Sequence, residues 1–553
     1  METCLARSRL PLIPMQFFSP LRCRPSLVAG AVAALLTLSA CHRAETPDAP
    51  ASAADPEAAA DGSTLTRHYE EARTPALAAQ AAATSIPSGV LDLLTQAKIP
   101  LDDVSLLVVP ADGGAPLVNH ASSVPRNPAS VMKLVTTAAA LDVLGPTYTW
   151  KTPVWAGGPV QNGVLHGNLY VKGSGDPLLV MERLWMLMRN VRQAGIETID
   201  GDLVLDNTAF EVPQQDPGSF DGKPFSPYNA RPDALLVNFK SAVLNFTPDP
   251  AQQVAHVSID PPLQGVSVPA TVPLTHGACA NTWQSGLGAR LSDPHAITFS
   301  GHYADGCGHQ IWAFAYPAPN EFAARAVAGM WTSLGGRIQG QVRYDKVPAD
   351  IVRKAPLAES VSPTVPEVIR SLNKHSNNVM AQQVFLSMGL RRAGVGNMST
   401  STAAVQDWWR GMLGATPMPD VDNGAGLSRS ARISASSLGA MLQAVWRSPN
   451  MPEFMESLPI IGVDGTLRRS RIADRGAAHL KTGTLRDASA LAGYVLAKDG
   501  RRYVFVAIAN GGRALLARPA FEALVDWTVH RPATATAGAP AVTATPSVAA
   551  SAP

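Results

Sequence analysis

Asn127-Pro128-Ala129-Ser130-Val131-Met132-Lys133 opens a run that continues to Leu144, where Gly145-Pro146 stops it. The pattern predicts a helix from about Ser130 to Leu144. A spacing of three places Ser130 and Lys133 on one helical face, about one turn apart. There the amine can take the hydroxyl proton, provided burial or a neighbouring cation keeps the lysine neutral. The helix N-terminus also points unpaired N–H groups and the positive end of a dipole at developing negative charge. Alone the pairing says little, because a chain this long holds about one or two Ser-x-x-Lys matches by chance.

Two later motifs give it weight. Ser376-Asn377-Asn378 falls at the turn between two helical runs. Its serine can relay a proton to a leaving amine, and Asn378 can hydrogen-bond a substrate backbone. Lys481-Thr482-Gly483-Thr484 enters the C-terminal strands. Its lysine and threonines can bind a terminal carboxylate, and Gly483 lets an extended substrate lie against the strand edge. Taken singly, the second motif is an ordinary polar turn and the third a surface turn before a strand.

Around these motifs the chain reads as follows. A strand is expected at Val104–Val109. Short β-rich runs fill the stretch from about 150 to 355, at Asn168–Lys172, Asp202–Leu205, Val254–Ile259, Ala296–Ser300 and Gln310–Ala315. Turn signals such as Gly157-Gly158 and Asn162-Gly163 separate them. Helices are expected at Val365–Lys374, Asn378–Leu390, Ala404–Met412 and Ala435–Trp446. A hairpin of Ala488–Leu496 and Tyr503–Asn510 then precedes an amphipathic helix from about Arg518 to Val529. The order is that of one α/β (α+β) domain interrupted by an insertion, with no internal repeat.

In this order the three motifs resemble the serine acyltransferases that bind penicillin. Ser130 and Ser376 are 246 residues apart, and Ser376 and Lys481 only 105. So large an insertion between the first two motifs resembles the D-Ala-D-Ala carboxypeptidase/endopeptidase family, peptidase family S13, which includes the class C low-molecular-mass penicillin-binding protein 4 type. Four further segments are similar to that family: Gly173-Ser174-Gly175-Asp176-Pro177-Leu178, Gly201-Asp202-Leu203-Val204-Leu205-Asp206, Asp422-Asn423-Gly424-Ala425-Gly426-Leu427-Ser428-Arg429, and Leu458-Pro459-Ile460-Ile461-Gly462 followed by Asp464-Gly465-Thr466-Leu467.

The resemblance implies a penicillin-binding-protein/β-lactamase-like transpeptidase domain at 88–150 and 356–530, interrupted by a large β-rich insertion at 151–355. It implies Ser130 as nucleophile, Lys133 as acylation base, and Ser376 with Lys481 as the route of a proton to the leaving amine. Asn378, Thr482, Gly483 and Thr484 hold the substrate, and the backbone N–H groups of Ser130 and Thr484 form the oxyanion hole. Arg429 matches a position that contacts the free carboxylate of a diaminopimelate side chain; its plainer reading is a surface arginine. An acidic partner for the diaminopimelate amine is expected within 217–233, where neither Asp221 nor Asp233 aligns well. Substrates would be peptidoglycan peptides and crosslinks, with β-lactams as covalent inhibitors and no metal or cofactor. A β-lactamase, or a scaffold that has lost its chemistry, are the rival readings.

Three other features are more plainly structural. Asp176 reads as a turn residue between Gly175 and Pro177. His375 reads as a helix-end histidine, and Trp408, Trp409 and Trp446 have the helical spacing of core residues.

The whole chain fits this reading. It has 553 residues, 46% hydrophobic and 16% charged, with a net charge of +2. That balance argues against a nucleic-acid binder built on basic patches. Arg22 and Arg24 precede an apolar run from Leu27 to Ala40, too short to span a bilayer comfortably and suited to a secretory signal. The ending Leu38-Ser39-Ala40-Cys41 resembles a lipobox, with lipidation at Cys41; the alternative is an ordinary signal cut after Ala40. Met15 is an alternative start. Export to the periplasm is expected, with membrane contact only through a lipid anchor, and His42 after the cysteine resembles lipoproteins sorted to the outer membrane. The segment 42–87 reads as a tether and 531–553 as a tail, both too poor in large apolar residues to build a core. Cys279 and Cys307 remain in the body, an even count in an oxidising compartment, and are expected to form a disulfide. A zinc site with His276, His302 and His309 is the alternative, without a recognised ligand spacing.

Overall fold

The computed structural model describes residues 85–531. The signal segment, Cys41, nearly all of the tether and the tail from residue 532 lie outside the described residues.

The two ends of the described chain build one sheet. Strands β1 (Val104–Pro110), β2 (Val118–His120), β3 (Ala478–Leu485), β4 (Ala488–Leu496) and β5 (Arg502–Asn510) lie in the order β2-β1-β5-β4-β3. All neighbours are antiparallel, and β1 runs against β5 from Val104–Ala509 to Pro110–Tyr503. The strands read as nearly unbroken apolar runs because both faces are covered. Leu107, Val109, Val504, Val506 and Ile508 face a helical core. Leu106, Val108, Phe505 and Ala507 face the opposite side, where Val90, Leu94, Phe521 and Leu524 of the helices Ser88–Gln96 and Arg518–Val529 pack. The result is three layers with the sheet in the middle.

The helical core gathers α1 (Lys133–Val143), α2 (Val365–His375), α3 (Asn378–Ala393) and the helices Met398–Leu413 and Ala435–Trp446. In α1 every residue from Lys133 to Leu141 is buried, so this helix is the axis of the layer. Trp409 is fully buried and Trp408 nearly so, while Trp446 packs at the margin, in keeping with their core reading.

Residues 151–361 carry their own core, drawn from residues such as Val154, Leu169, Leu244, Phe314 and Trp331. One five-stranded sheet joins Lys151–Ala156, Leu169–Lys172, Leu203–Asp206, Val342–Tyr344 and Ala358–Val361. Another joins Ser241–Asp249, Val254–Asp260, Thr271–Ala278, Tyr303–Gly306 and Gln310–Ala315. Among the strands of this β-rich stretch stand two longer helices, Met181–Gln193 and Phe322–Ser333, that the sequence reading did not name. Leu169–Lys172 and Leu203–Asp206 pair in parallel, and parallel neighbours need a crossover, which Met181–Gln193 supplies. The strand expected at Ala296–Ser300 shortens to Thr298–Phe299, because its partner Ala289–Arg290 offers only two residues.

Cys279 and Cys307 are joined as a disulfide. The disulfide takes up both sulfurs on which the zinc alternative drew, and His276 pairs with Asp305 at 2.6 Å.

Candidate active site

Ser130 does not sit in the helix proper. Ala129–Met132 form a tight 3-10 turn, and α1 begins only at Lys133. The turn is forced by Ala129, whose φ of 48° lies in the left-handed region that alanine avoids. Asn127 holds it there. Its side-chain oxygen accepts from Ala129 N at 2.9 Å, and its Nδ2 donates to Ser428 O at 2.9 Å. Its backbone exchanges two bonds with the Asn510 side chain at the end of β5. Gly426 completes the clamp: a side chain there would place its Cβ 1.9 Å from Ala129 O. In the sequence Asn127 is legible only as a helix-start residue, since partners at 428 and 510 leave no local signal.

Lys133 is wholly buried and Ser130 half-buried. The Lys133 amine lies 2.9 Å from Ser130 Oγ, 2.7 Å from Asn378 Oδ1 and 2.6 Å from Ala425 O. The last two can only accept. A neutral amine therefore gives them its two hydrogens and turns its lone pair to the Ser130 hydroxyl, which donates. Burial, and then the charge of Lys481, drive the Lys133 pKa well below its ordinary value, which favours that neutral form.

Ser376 closes α2 in a left-handed conformation (φ 56°, ψ 36°), and Asn377 caps α3 by accepting from Met380 N at 3.0 Å. The turn expected between two helical runs thus serves both helices. Ser376 Oγ lies 2.8 Å from Nζ of Lys481, which also reaches Thr482 O at 2.8 Å. Burial alone lowers Lys481 to about 7. Asn378 donates from Nδ2 to Tyr228 O at 3.1 Å, so its side chain bridges Lys133 and a segment of the 151–361 region. His375 is exposed and faces Ser371 O, in keeping with a helix-end residue.

Lys481, Thr482, Gly483 and Thr484 lie on β3, the edge strand paired to β4; on its other side β3 bridges Ile460 at His479, and from Lys481 to Thr484 that edge has no strand partner among the described residues. Gly483 packs against the serine turn; a Cβ there would stand 2.4 Å from Pro128 O. Thr482 Oγ1 donates to Thr466 Oγ1 at 2.8 Å, and Thr484 is exposed. Thr466 belongs to the Asp464-Gly465-Thr466-Leu467 segment, whose Asp464 meets Lys374 of α2 at 2.6 Å. That segment braces the edge strand and the Ser376 turn, a role the motif order did not disclose.

Arg429 is exposed, 2.9 Å from Asp487 and stacked over Phe220 at 4.4 Å. Asp221 is held by Tyr228, Asn229 and Lys223 N, and Asp233 by Lys240 at 2.8 Å. Neither lines the cavity beside Arg429, whereas Asp216 and Phe220 do. Asp176 accepts from Leu178 N and pairs with Arg183, as a turn residue does.

Two buried amines aimed at two hydroxyls, beside an open strand edge, suit an enzyme that lays an extended peptide against the sheet and attacks its carbonyl. The class this fold and site define is that of the serine peptidases with a penicillin-binding-protein architecture. Within it, the chain belongs to the D-Ala-D-Ala carboxypeptidase 3 (S13) family, whose family model matches residues 88–530. It is 30% identical over 399 residues to a D-alanyl-D-alanine carboxypeptidase of an Actinomadura species, spanning 69% of this chain and 73% of that one. It is 26% identical over 401 residues to D-alanyl-D-alanine carboxypeptidase DacB of Haemophilus influenzae, covering 69% and 80%. The crystal structure of penicillin binding protein 4 (dacB) from H. influenzae superposes with a TM-score of 0.64 at 24% identity, covering 78% of this chain and 97% of that one. A second structure of that protein, complexed with a β-lactam, gives 0.61 at 23% identity, covering 80% and 100%.

Proposed function

We propose that this chain is an exported DD-carboxypeptidase and DD-endopeptidase that acts on peptidoglycan stem peptides and crosslinks through an acyl-enzyme on Ser130. The observation that carries the reading is the wholly buried Lys133 amine, 2.9 Å from Ser130 Oγ. As the hydroxyl oxygen attacks the carbonyl between two D-alanines, its proton passes to Lys133. The carbonyl oxygen turns to the backbone N–H groups of Ser130 and Thr484. When the tetrahedral centre collapses, the C–N bond breaks and the amine takes a proton from Ser376, which Lys481 replaces. The proton on Lys133 then passes to Lys481; water attacks the ester and gives a proton to the neutral Lys133, the acyl C–O bond breaks, and Ser130 recovers its proton from Lys133. A crosslink differs only in its leaving amine, and a β-lactam would enter by the same first step and leave slowly.

In this reading 88–150 and 356–530 form the acyltransferase domain, 151–355 is an insert, and Cys41 is a lipid anchor on the periplasmic side of the outer membrane. Among the described residues no helix is long and apolar enough to cross a membrane. Fluorescent penicillin should label the full chain, and Ser130→Ala should abolish both labelling and D-alanine release. Rapid nitrocefin turnover without peptide cleavage would replace this reading by a β-lactamase; absence of Ser130-dependent labelling would replace it by a scaffold.

A further inference from the structure

Beyond Arg429 the site continues. A cavity of about 290 Å³ lies beside Arg429 and Asn423 and adjoins another of about 590 Å³ that reaches Lys240. Asp216 and Arg231 are among the residues that line both. Most charges here are already matched. Lys240 is paired with Asp233 and Arg429 with Asp487, while Asp216 accepts from Gly218 N and has no cationic partner among the described residues.

Arg231 differs. Its Nε is buried without a hydrogen-bond partner, and among the described residues no carboxylate lies within ion-pair distance. Asp422, exposed on the cavity rim, favours its charge only from further off. A desolvated guanidinium edge with no acceptor costs about 1–3 kcal/mol, which an anionic ligand would offset. The residue is also held rigidly. Pro232 restricts its backbone to extended conformations. On either side the chain is pinned to α3, by Asn378 Nδ2 on Tyr228 O and by two bonds between Gln383 and the Asp233 backbone. The helix that carries Asn378 therefore sets where Arg231 stands relative to Ser130.

We propose that Arg231 binds a carboxylate of the peptidoglycan stem peptide, upstream of the scissile bond and beyond the group facing Arg429. This rests on the peptidase reading above. It is tested in the full chain with Arg231→Gln and Arg231→Lys on two peptides ending in D-Ala-D-Ala, one with free upstream carboxylates and one with them amidated. Arg231→Gln should raise KM for the free-acid peptide, lowering kcat/KM about 30-fold, the loss of one charge-assisted bond. It should leave the amidated peptide and the rate of penicillin acylation unchanged, and Arg231→Lys should restore part of the difference. Equal losses on both peptides, slower penicillin acylation, or no change on either overturn the proposal. Failure of the peptidase reading shows separately, as absence of Ser130-dependent labelling in the unaltered chain.

Discussion

Replacing Lys481 by methionine should make the protein more stable at neutral pH while destroying its activity. Lys481 is fully buried and its pKa falls from 10.5 to about 7. Folded chains thus bind fewer protons than unfolded chains between about 7 and 10.5, so lysine's contribution to stability rises with pH across that window. At pH 7.5 the amine has lost its proton on folding, at a cost of roughly 4 kcal/mol, counting 1.36 kcal/mol per pH unit below 10.5. Methionine fills a similar volume without that cost. It forfeits the bonds to Ser376 and Thr482 O, worth about 1 kcal/mol each. The net gain is roughly 2 kcal/mol at pH 7.5, vanishing near pH 9 and reversing above it. Thermal unfolding of the two proteins from pH 7 to 10 reads this directly as a Tm difference that shrinks and changes sign. A variant less stable than its parent at pH 7.5, or a difference independent of pH, would refute the account of Lys481 as a buried amine held for chemistry.

Gly483→Ala should slow penicillin acylation about 100-fold, because a Cβ 2.4 Å from Pro128 O pushes the edge strand away from the serine turn. Stopped-flow labelling checks it, and an unchanged rate would mean that the strand edge is not part of the site. Acylation should rise from acid pH as Lys133 loses its proton and bend over above about 7 as Lys481 loses its own. A terminal carboxylate near Lys481 should move that alkaline limb upward, so a peptide whose last D-alanine is amidated should bend over at lower pH than the free acid, and identical profiles for the two peptides would count against the assignment. Replacing Cys279 and Cys307 together by serine should cost about 2–4 kcal/mol of stability, as expected for opening a loop of this size, and leave the acylation rate intact. Differential scanning calorimetry beside penicillin labelling separates the two effects.

The elements legible in the sequence are those whose own pattern suffices. The helix Ala435–Trp446 and the strand Ala488–Leu496 have the expected bounds, because long apolar runs with clear stops are set locally. Met181–Gln193 does not stand out from the β-rich stretch around it, since the parallel pairing that requires it joins strands 34 residues apart. In the site, Ser130, Lys133, Ser376 and Lys481 were all nameable, and the condition attached to Lys133, burial or a nearby cation, is met by both. What was not legible is what holds them. Ala129 in a left-handed conformation runs against alanine's preference, and only Asn127, Gly426 and Asn510 acting together impose it. Arg429 was nameable too, but its partner Asp487 lies 58 residues on and its aromatic partner Phe220 far upstream.

The two lysines also explain why one residue type can fill opposite roles within one site. Both are buried, so both lose affinity for protons. Only Lys133 has a second cause, the charge of Lys481, and this orders the pair: one proton shared between them resides on Lys481. In the proposed cycle that order is what the chemistry needs. Lys133 begins as the base that receives the Ser130 proton, while Lys481 begins as the acid behind Ser376 that supplies the leaving amine. Once Lys481 has given up its proton, its charge no longer depresses Lys133, so the proton taken from Ser130 is held more firmly. The acyl-enzyme is thereby left with its base occupied, and deacylation must await its return to the neutral form. A site built this way accepts one acyl group readily and releases it only after the protons on its two amines have been reset.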